Sequence, residues 1–158
     1  MKEIALLGTT CQVFADVLSS LLEKDMTVCA MVDTPSKVML DNSRLTVQHL
    51  PVEDHDRVKE DLEGYHDAVL TYNDDLTDEY TNSRTLNYFV DTLTAARQAG
   101  VARVIVVGSP VSEAFFVTEL KRIDDIDWVF ISTEGDFPHR VAREIIEPRF
   151  HKEVYVEE

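Results

Sequence analysis

Apolar and polar positions along this chain follow two alternating rhythms. Residues 3–8, EIALLG, form a short continuous apolar run ending in glycine, the pattern of a strand buried on both faces. From Cys11 to Lys24 the rhythm changes: Val13, Phe14, Val17, Leu18, Leu21 and Leu22 recur at helical spacing, with Asp16, Ser20, Glu23 and Lys24 elsewhere. TVCAMV (27–32) is a second apolar run, followed by the turn-like DTPSK. RLTVQHLPV (44–52) predicts a third strand ended near Pro51, because proline donates no ladder hydrogen bond. EDHDRVKEDLEG (53–64) predicts an acidic helix closed by Gly64.

The alternation continues to the last residues. DAVLTY (67–72) is a fourth strand, and a long helix over 79–99 stops at Gly100, with Leu86, Phe89, Val90, Leu93 and Ala96 on one stripe. RVIVVG (103–108) is the clearest strand. A helix over 113–123, a strand over 127–131 and a helix over 138–147 with proline in its first turn come next. KEVYVE near the C-terminus fits an edge strand. Apolar strands alternating with helices predict a parallel sheet covered on both faces, joined by right-handed crossovers. The expected fold class is α/β: a three-layer, doubly wound, Rossmann-like sheet in a single domain over 1–158.

Composition narrows the partners. The 158 residues suffice for one core, and 44% hydrophobic with 28% charged residues suits a soluble globule. A net charge of −15 repels nucleic acid and anionic membrane, both of which bind through phosphate neutralisation by Lys and Arg. No apolar run reaches the roughly eighteen residues of a membrane span, and MKEIALLG lacks a cleavage region. Cys11 and Cys29 show no paired spacing, as expected of reduced thiols in a cytoplasmic protein.

Candidate chemistry begins at IALLGTTCQVF (4–14), a strand–turn–helix start. In a dinucleotide-binding turn one glycine permits the turn, a second lets backbone approach the pyrophosphate, and a third lets helix and strand pack closely. Gly8 keeps the first role, while Cys11 and Phe14 stand at the other two places. A Cβ and sulfur at Cys11 would crowd phosphate oxygens. A ring at Phe14 would wedge between helix and strand or swing out into the cleft. The helix N-terminus still offers orphan N–H donors and partial positive charge. Losing two charged hydrogen bonds at ~1.5–3 kcal/mol each would weaken binding by at least about a hundredfold.

IALLGTTCQVF, VCAMVDTPSKV, AARQAGVARVIVVGS and IDWVFIS together resemble the atypical short-chain dehydrogenase/reductase group, which includes NmrA-like and small NAD(P)-dependent epimerase/dehydratase-type proteins. The resemblance covers nearly the whole chain. In that family the turn reads G-A-T-G-x-V-G, matched here at Gly8, Thr10 and Val13. It implies a cofactor site from Gly8, Thr10, Cys11, Gln12, Val13, Asp33, Thr71, Tyr72 and Ser109. Relatives often carry arginine after the second strand, for the 2′-phosphate of NADP. Asp33 there points to NAD if any dinucleotide binds, or else it simply starts a turn with Thr34 and Pro35. After the fourth strand, Asp74, Asp75, Asp78 and Glu79 would face an incoming pyrophosphate, or form a solvated loop capping the next helix.

The family's acid–base apparatus is not legible. Relatives that reduce or epimerise place a serine after the fifth strand and Tyr-x-x-x-Lys on the next helix, where tyrosine moves the proton. Ser109 and Ser112 follow RVIVVG, but the helix carries Phe115 and Phe116, with Glu119 and Leu120 four residues on. The span 109–126 leaves no room for the long substrate-binding segment of larger relatives. The five histidines are scattered without metal spacing, and Cys11 has no evident base partner. No catalytic residue is therefore assigned. The expected function is a non-catalytic binding or regulatory module with no cofactor or a weakly held NAD(P). The alternative is an NAD(P)-dependent oxidoreductase, or a sugar-nucleotide-type epimerase/dehydratase, with an unusual turn. The family also implies a homodimer through helices 79–99 and 113–123, and an unknown protein partner is a further possibility.

Overall fold

The structure, a computed structural model, describes residues 2–51, 53–71, 79–148 and 152–154. Among the described residues seven strands make one parallel sheet: β1 (Glu3–Gly8), β2 (Thr27–Val32), β3 (Leu45–His49), β4 (Asp67–Thr71), β5 (Arg103–Gly108), β6 (Asp127–Ser132) and β7 (Glu153–Val154). Their order across the sheet is β3-β2-β1-β4-β5-β6-β7, so the direction of winding reverses between β1 and β4. The helices of the described residues cover it: α1 (Gln12–Glu23), α2 (His55–Leu62), α3 (Glu79–Ala99), α4 (Glu113–Leu120) and α5 (Phe137–Ile146). The expected three-layer, doubly wound α/β architecture is the observed one. β3 is shorter than its apolar run, because the chain leaves the sheet before Pro51.

Strand alternation sorts the core into two layers. Ala5, Leu7, Ala68, Leu70, Val104, Val106, Trp128 and Phe130 face α2, α3 and α4. Ile4, Leu6, Val69, Ile105, Val107, Val129 and Ile131 face α1 and α5. Each buried aliphatic or aromatic side chain contributes roughly 1.5–3 kcal/mol of transfer free energy, which is why continuous apolar strands demand cover on both sides.

One connection departs from the sequence expectation. β4→β5, β5→β6 and β6→β7 all step in the same direction, yet α3 and α4 lie on one face and α5 on the other. The β6–α5–β7 crossover is therefore of opposite hand to its two predecessors, against the strong right-handed preference. A buried ion pair holds α5 there: Arg103 Nη2 donates to Glu144 Oε2 across 2.8 Å and Nη1 to the Glu144 carbonyl across 2.7 Å. β7, only two residues long, asks little of this connection.

The β2–β3 connection is also unusual. It contains only a 3-10 turn at Pro35–Lys37 and then irregular chain to β3, so no full helix lies beside α1 there.

Candidate functional site

The carboxyl ends of β1, β2, β4 and β5 lie along one edge, and they carry Gly8, Val32, Thr71 and Gly108. The sequence-expected Gly8, Asp33, Thr71 and Ser109 are thus gathered there from four separate parts of the chain. Gly8 has φ +152°, and a Cβ on it would overlap the carbonyl oxygen and hydroxyl of Thr71. Glycine is required here by the close approach of β4 as well as by its backbone angle. Thr71, fully buried, donates its hydroxyl to the Leu7 carbonyl across 3.2 Å, locking the two strand ends together.

The turn after Gly8 is pinned to β2. Thr10 N–H donates to Asp33 Oδ1 at 2.8 Å, and the Thr10 hydroxyl donates to the same oxygen at 3.0 Å. The sequence left Asp33 as a ribose acceptor or a turn starter. In the structure it braces the turn from the neighbouring strand, while Thr34 caps the 3-10 turn that follows. Nothing among the described residues donates to its second oxygen.

Cys11 is the N-cap of α1, half-buried, and its thiol makes no capping hydrogen bond. The first-turn N–H donors are thus not consumed by a cap side chain, so they suit an anion. Gln12 turns its amide along the helix to Asp16, at 2.8 Å, and Val13 packs half-buried against the core. Phe14 is 2% exposed and belongs to the core between α1 and the sheet. Of the two placements its bulk allowed, the structure has the wedge and not the swing into the ligand crevice. Of the two departures from glycine, only Cys11 therefore stands at the turn itself.

Beside this turn, a cleft of about 540 Å³ runs along the flank of α1, where a helix between β2 and β3 would otherwise lie. Thr10, Cys11, Gln12, Phe14 and Leu18 line one side, Lys37, Val38, Met39 and Leu40 the other. The sequence reading missed Lys37. It took DTPSK as a turn, and only the folded connection brings that ammonium beside α1.

Ser109 caps a short 3-10 turn, Pro110–Ser112, at the end of β5; the buried Ser112 hydroxyl donates to the Ser109 carbonyl across 2.9 Å. On α4, Phe116 is fully buried, its ring centroid 4.8 Å from Phe89 and 6.3 Å from Phe130. Phe115 stacks edge-on against it at 5.2 Å. Tyr72 and the acidic positions Asp74, Asp75 and Asp78 lie outside the described residues, as does the side chain of Glu79. Among the described residues no group of His, Cys, Asp and Glu could hold a metal ion, and no helix is long and apolar enough to cross a membrane.

This edge, with its glycine turn at the start of α1, is where a doubly wound sheet binds a nucleotide. Residues 8–123 match the profile of a family described as NAD(P)H-binding. No curated protein matches the sequence significantly. Solved structures share the fold. An epimerase candidate from Bacteroides thetaiotaomicron is 21% identical with a TM-score of 0.82, over 99% of this chain and 98% of that one. An NADPH-dependent quinone oxidoreductase from Escherichia coli, complexed with NADPH, is 18% identical with a TM-score of 0.75, over 96% of this chain and 68% of that one. The oxidoreductase ylbE from Lactococcus lactis is 15% identical with a TM-score of 0.78, over 96% and 88%. The first is matched almost end to end. With its matched profile over residues 8–123 and its glycine turn at the carboxyl edge of the sheet, the chain belongs to the family described as NAD(P)H-binding.

Proposed function

We propose that this protein is a Rossmann-type binding or regulatory module that holds a nicotinamide dinucleotide weakly and performs no acid–base chemistry of its own. The observation that carries this reading is Phe116. It stands on the helix where reducing and epimerising relatives carry their tyrosine, has no exchangeable proton, and is packed among Phe89 and Phe130. The neighbouring Ser109 hydroxyl donates to the Ser112 hydroxyl across 3.4 Å. NAD is preferred to NADP, because a 2′-phosphate would meet the Asp33 carboxylate whereas a ribose hydroxyl can donate to its second oxygen. Two free, half-buried thiols support a cytoplasmic setting, and the family's habit of pairing through the counterparts of α3 and α4 supports a homodimer.

A second reading is favoured by the profile match over 8–123 and by the uncapped first turn of α1. Here the chain is an NAD(P)-dependent oxidoreductase, or a sugar-nucleotide-type epimerase/dehydratase. A bound dinucleotide would supply the hydride, and this chain's part would be to orient it on Thr10, the α1 N-terminus and Asp33. Fluorescence titration with NADH and NADPH separates the two. The binding-module reading expects NADH affinity weaker than about 100 μM and NADPH weaker still, about tenfold or more below a turn with intact glycines. Micromolar affinity together with steady NADH consumption by a quinone or carbonyl acceptor overturns it in favour of the enzyme.

A further inference from the structure

We infer that the open edge of β3 is a self-association surface, where two copies of this chain pair their β3 strands antiparallel about Val47. The inference goes beyond the dinucleotide reading and does not depend on it. It is also separate from pairing through α3 and α4, because β3 ends the sheet on the side away from β5 and β6, which α4 connects.

The backbone supplies the first argument. The Arg44 carbonyl accepts from Val28 N–H, and Leu50 N–H donates to the Val32 carbonyl, each at 2.8 Å. A parallel ladder engages every second residue, so Arg44, Thr46, Gln48 and Leu50 face β2. Leu45, Val47 and His49 therefore turn their N–H and C=O groups outward. β3 ends the sheet, so no strand among the described residues pairs with these groups. The Leu45 N–H already donates to the Asn42 carbonyl at 3.0 Å. What remains is self-complementary about Val47. Each Val47 donates to and accepts from its own copy, and each His49 N–H meets the copy's Leu45 carbonyl, so every bond is made twice across the twofold axis.

Side chains and charge agree with this pairing. β3 is five residues of unbroken register with no lysine, proline or bulge, the devices that ordinarily block an open edge. Leu45 and Val47 share one face and are only half-buried, because the β2–β3 connection supplies no full helix to cover them. Antiparallel pairing sets Val47 against its own copy and Thr46 against Gln48, an apolar pair and a hydrogen-bonding pair. The chain carries 30 acidic residues in 158, yet residues 43–52 hold none, and Arg44 is neutralised by Asp25 at 3.6 Å. Copies of a protein with net charge −15 repel each other, and an edge without carboxylates lets them approach.

Sedimentation velocity of the full chain, from low to high micromolar concentration, should show reversible monomer–dimer exchange. Val47→Pro and His49→Pro each remove an outward N–H and leave the β2 ladder whole. Each should weaken association about tenfold or more, with circular dichroism unchanged. A disulfide reads the register itself, since the Cα atoms of a hydrogen-bonded antiparallel pair stand about 5.5 Å apart, within disulfide reach. In a Cys11→Ser, Cys29→Ser background, Val47→Cys should give a covalent dimer with the thiol oxidant diamide, whereas Ser43→Cys, several residues of register from its copy, should not. A monomer throughout, a dimer indifferent to both prolines, or equal cross-linking at positions 43 and 47 overturns the proposal. If the proline variants fail to fold, the cross-link decides. Because no dinucleotide is present, failure here leaves the cofactor reading standing, and failure of NADH to bind leaves this one standing.

Discussion

Thr10 and Asp33 are joined twice: backbone N–H and hydroxyl of the one donate to a single carboxylate oxygen of the other, at 2.8 and 3.0 Å. The contact spans β1's turn and β2's end, so the glycine turn holds its shape through a neighbouring strand. Asp33→Ala should leave the fold intact, since the pair is exposed, while loosening the turn and weakening NADH binding about tenfold. Asp33→Asn, which can still accept from Thr10, should retain most of the affinity. Equal loss in both variants would mean that the carboxylate's charge, and not the brace, matters.

Restoring glycine to the turn is best done at one position. Phe14→Gly would remove a buried ring and destabilise the protein by about 3–5 kcal/mol. Cys11→Gly alone removes the side chain at the N-cap and should tighten NADH binding by tenfold or more, at ~1.5–3 kcal/mol for a recovered charged hydrogen bond. Calorimetric titration of the single variant checks this, and unchanged affinity would shift the cause of weak binding to another part of the crevice.

Gly8→Ala should destabilise by more than about 2 kcal/mol, because the new methyl must displace the Thr71 carbonyl and adopt a backbone angle that L residues rarely take. Urea denaturation followed by circular dichroism measures it. A loss under about 0.5 kcal/mol would show that β1 and β4 can separate at this edge without penalty.

Arg103 and Glu144 are 3% and 1% exposed and hold the crossover of unusual hand. Glu144→Ala should lower stability by about 3–5 kcal/mol, since it leaves a guanidinium buried without its counter-charge. A paired Arg103→Met, Glu144→Leu replacement should recover much of that loss. If the single and paired variants are equally unstable, α5 depends on the shape of these side chains and not on their charge.

Alkaline pH should erode stability in a defined window. Burial, with the Cys29 thiol beside it, pushes Tyr65 from 10.0 up to about 12, and burial likewise raises Cys29. Both groups hold their protons more tightly folded than unfolded. Their stabilisation is complete below the unfolded values and declines as pH rises from about 9 towards 12. Tyr65→Phe should flatten the upper part of that decline in melting temperature measured against pH.

Much of this architecture is written in one dimension. The both-faced burial of β1, β4 and β5 follows from continuous apolar runs, and the end of α3 follows from Gly100, whose φ of +85° is the left-handed exit that a helix stop uses. Local spacing sets these, because a strand's period and a helix's stripe are properties of neighbours in the chain. The sequence also showed where the turn departs from its family, at Cys11 and Phe14. Tertiary packing decided what those departures mean: Phe14 went inward, because α1 had to cover Ile4 and Leu6 and its ring was the bulk available. The brace from Asp33, the face chosen by α5 and the meeting of Lys37 with the flank of α1 join segments distant in the chain. Such contacts are set by which surfaces remain uncovered once the sheet has formed, and no periodicity in the sequence encodes that.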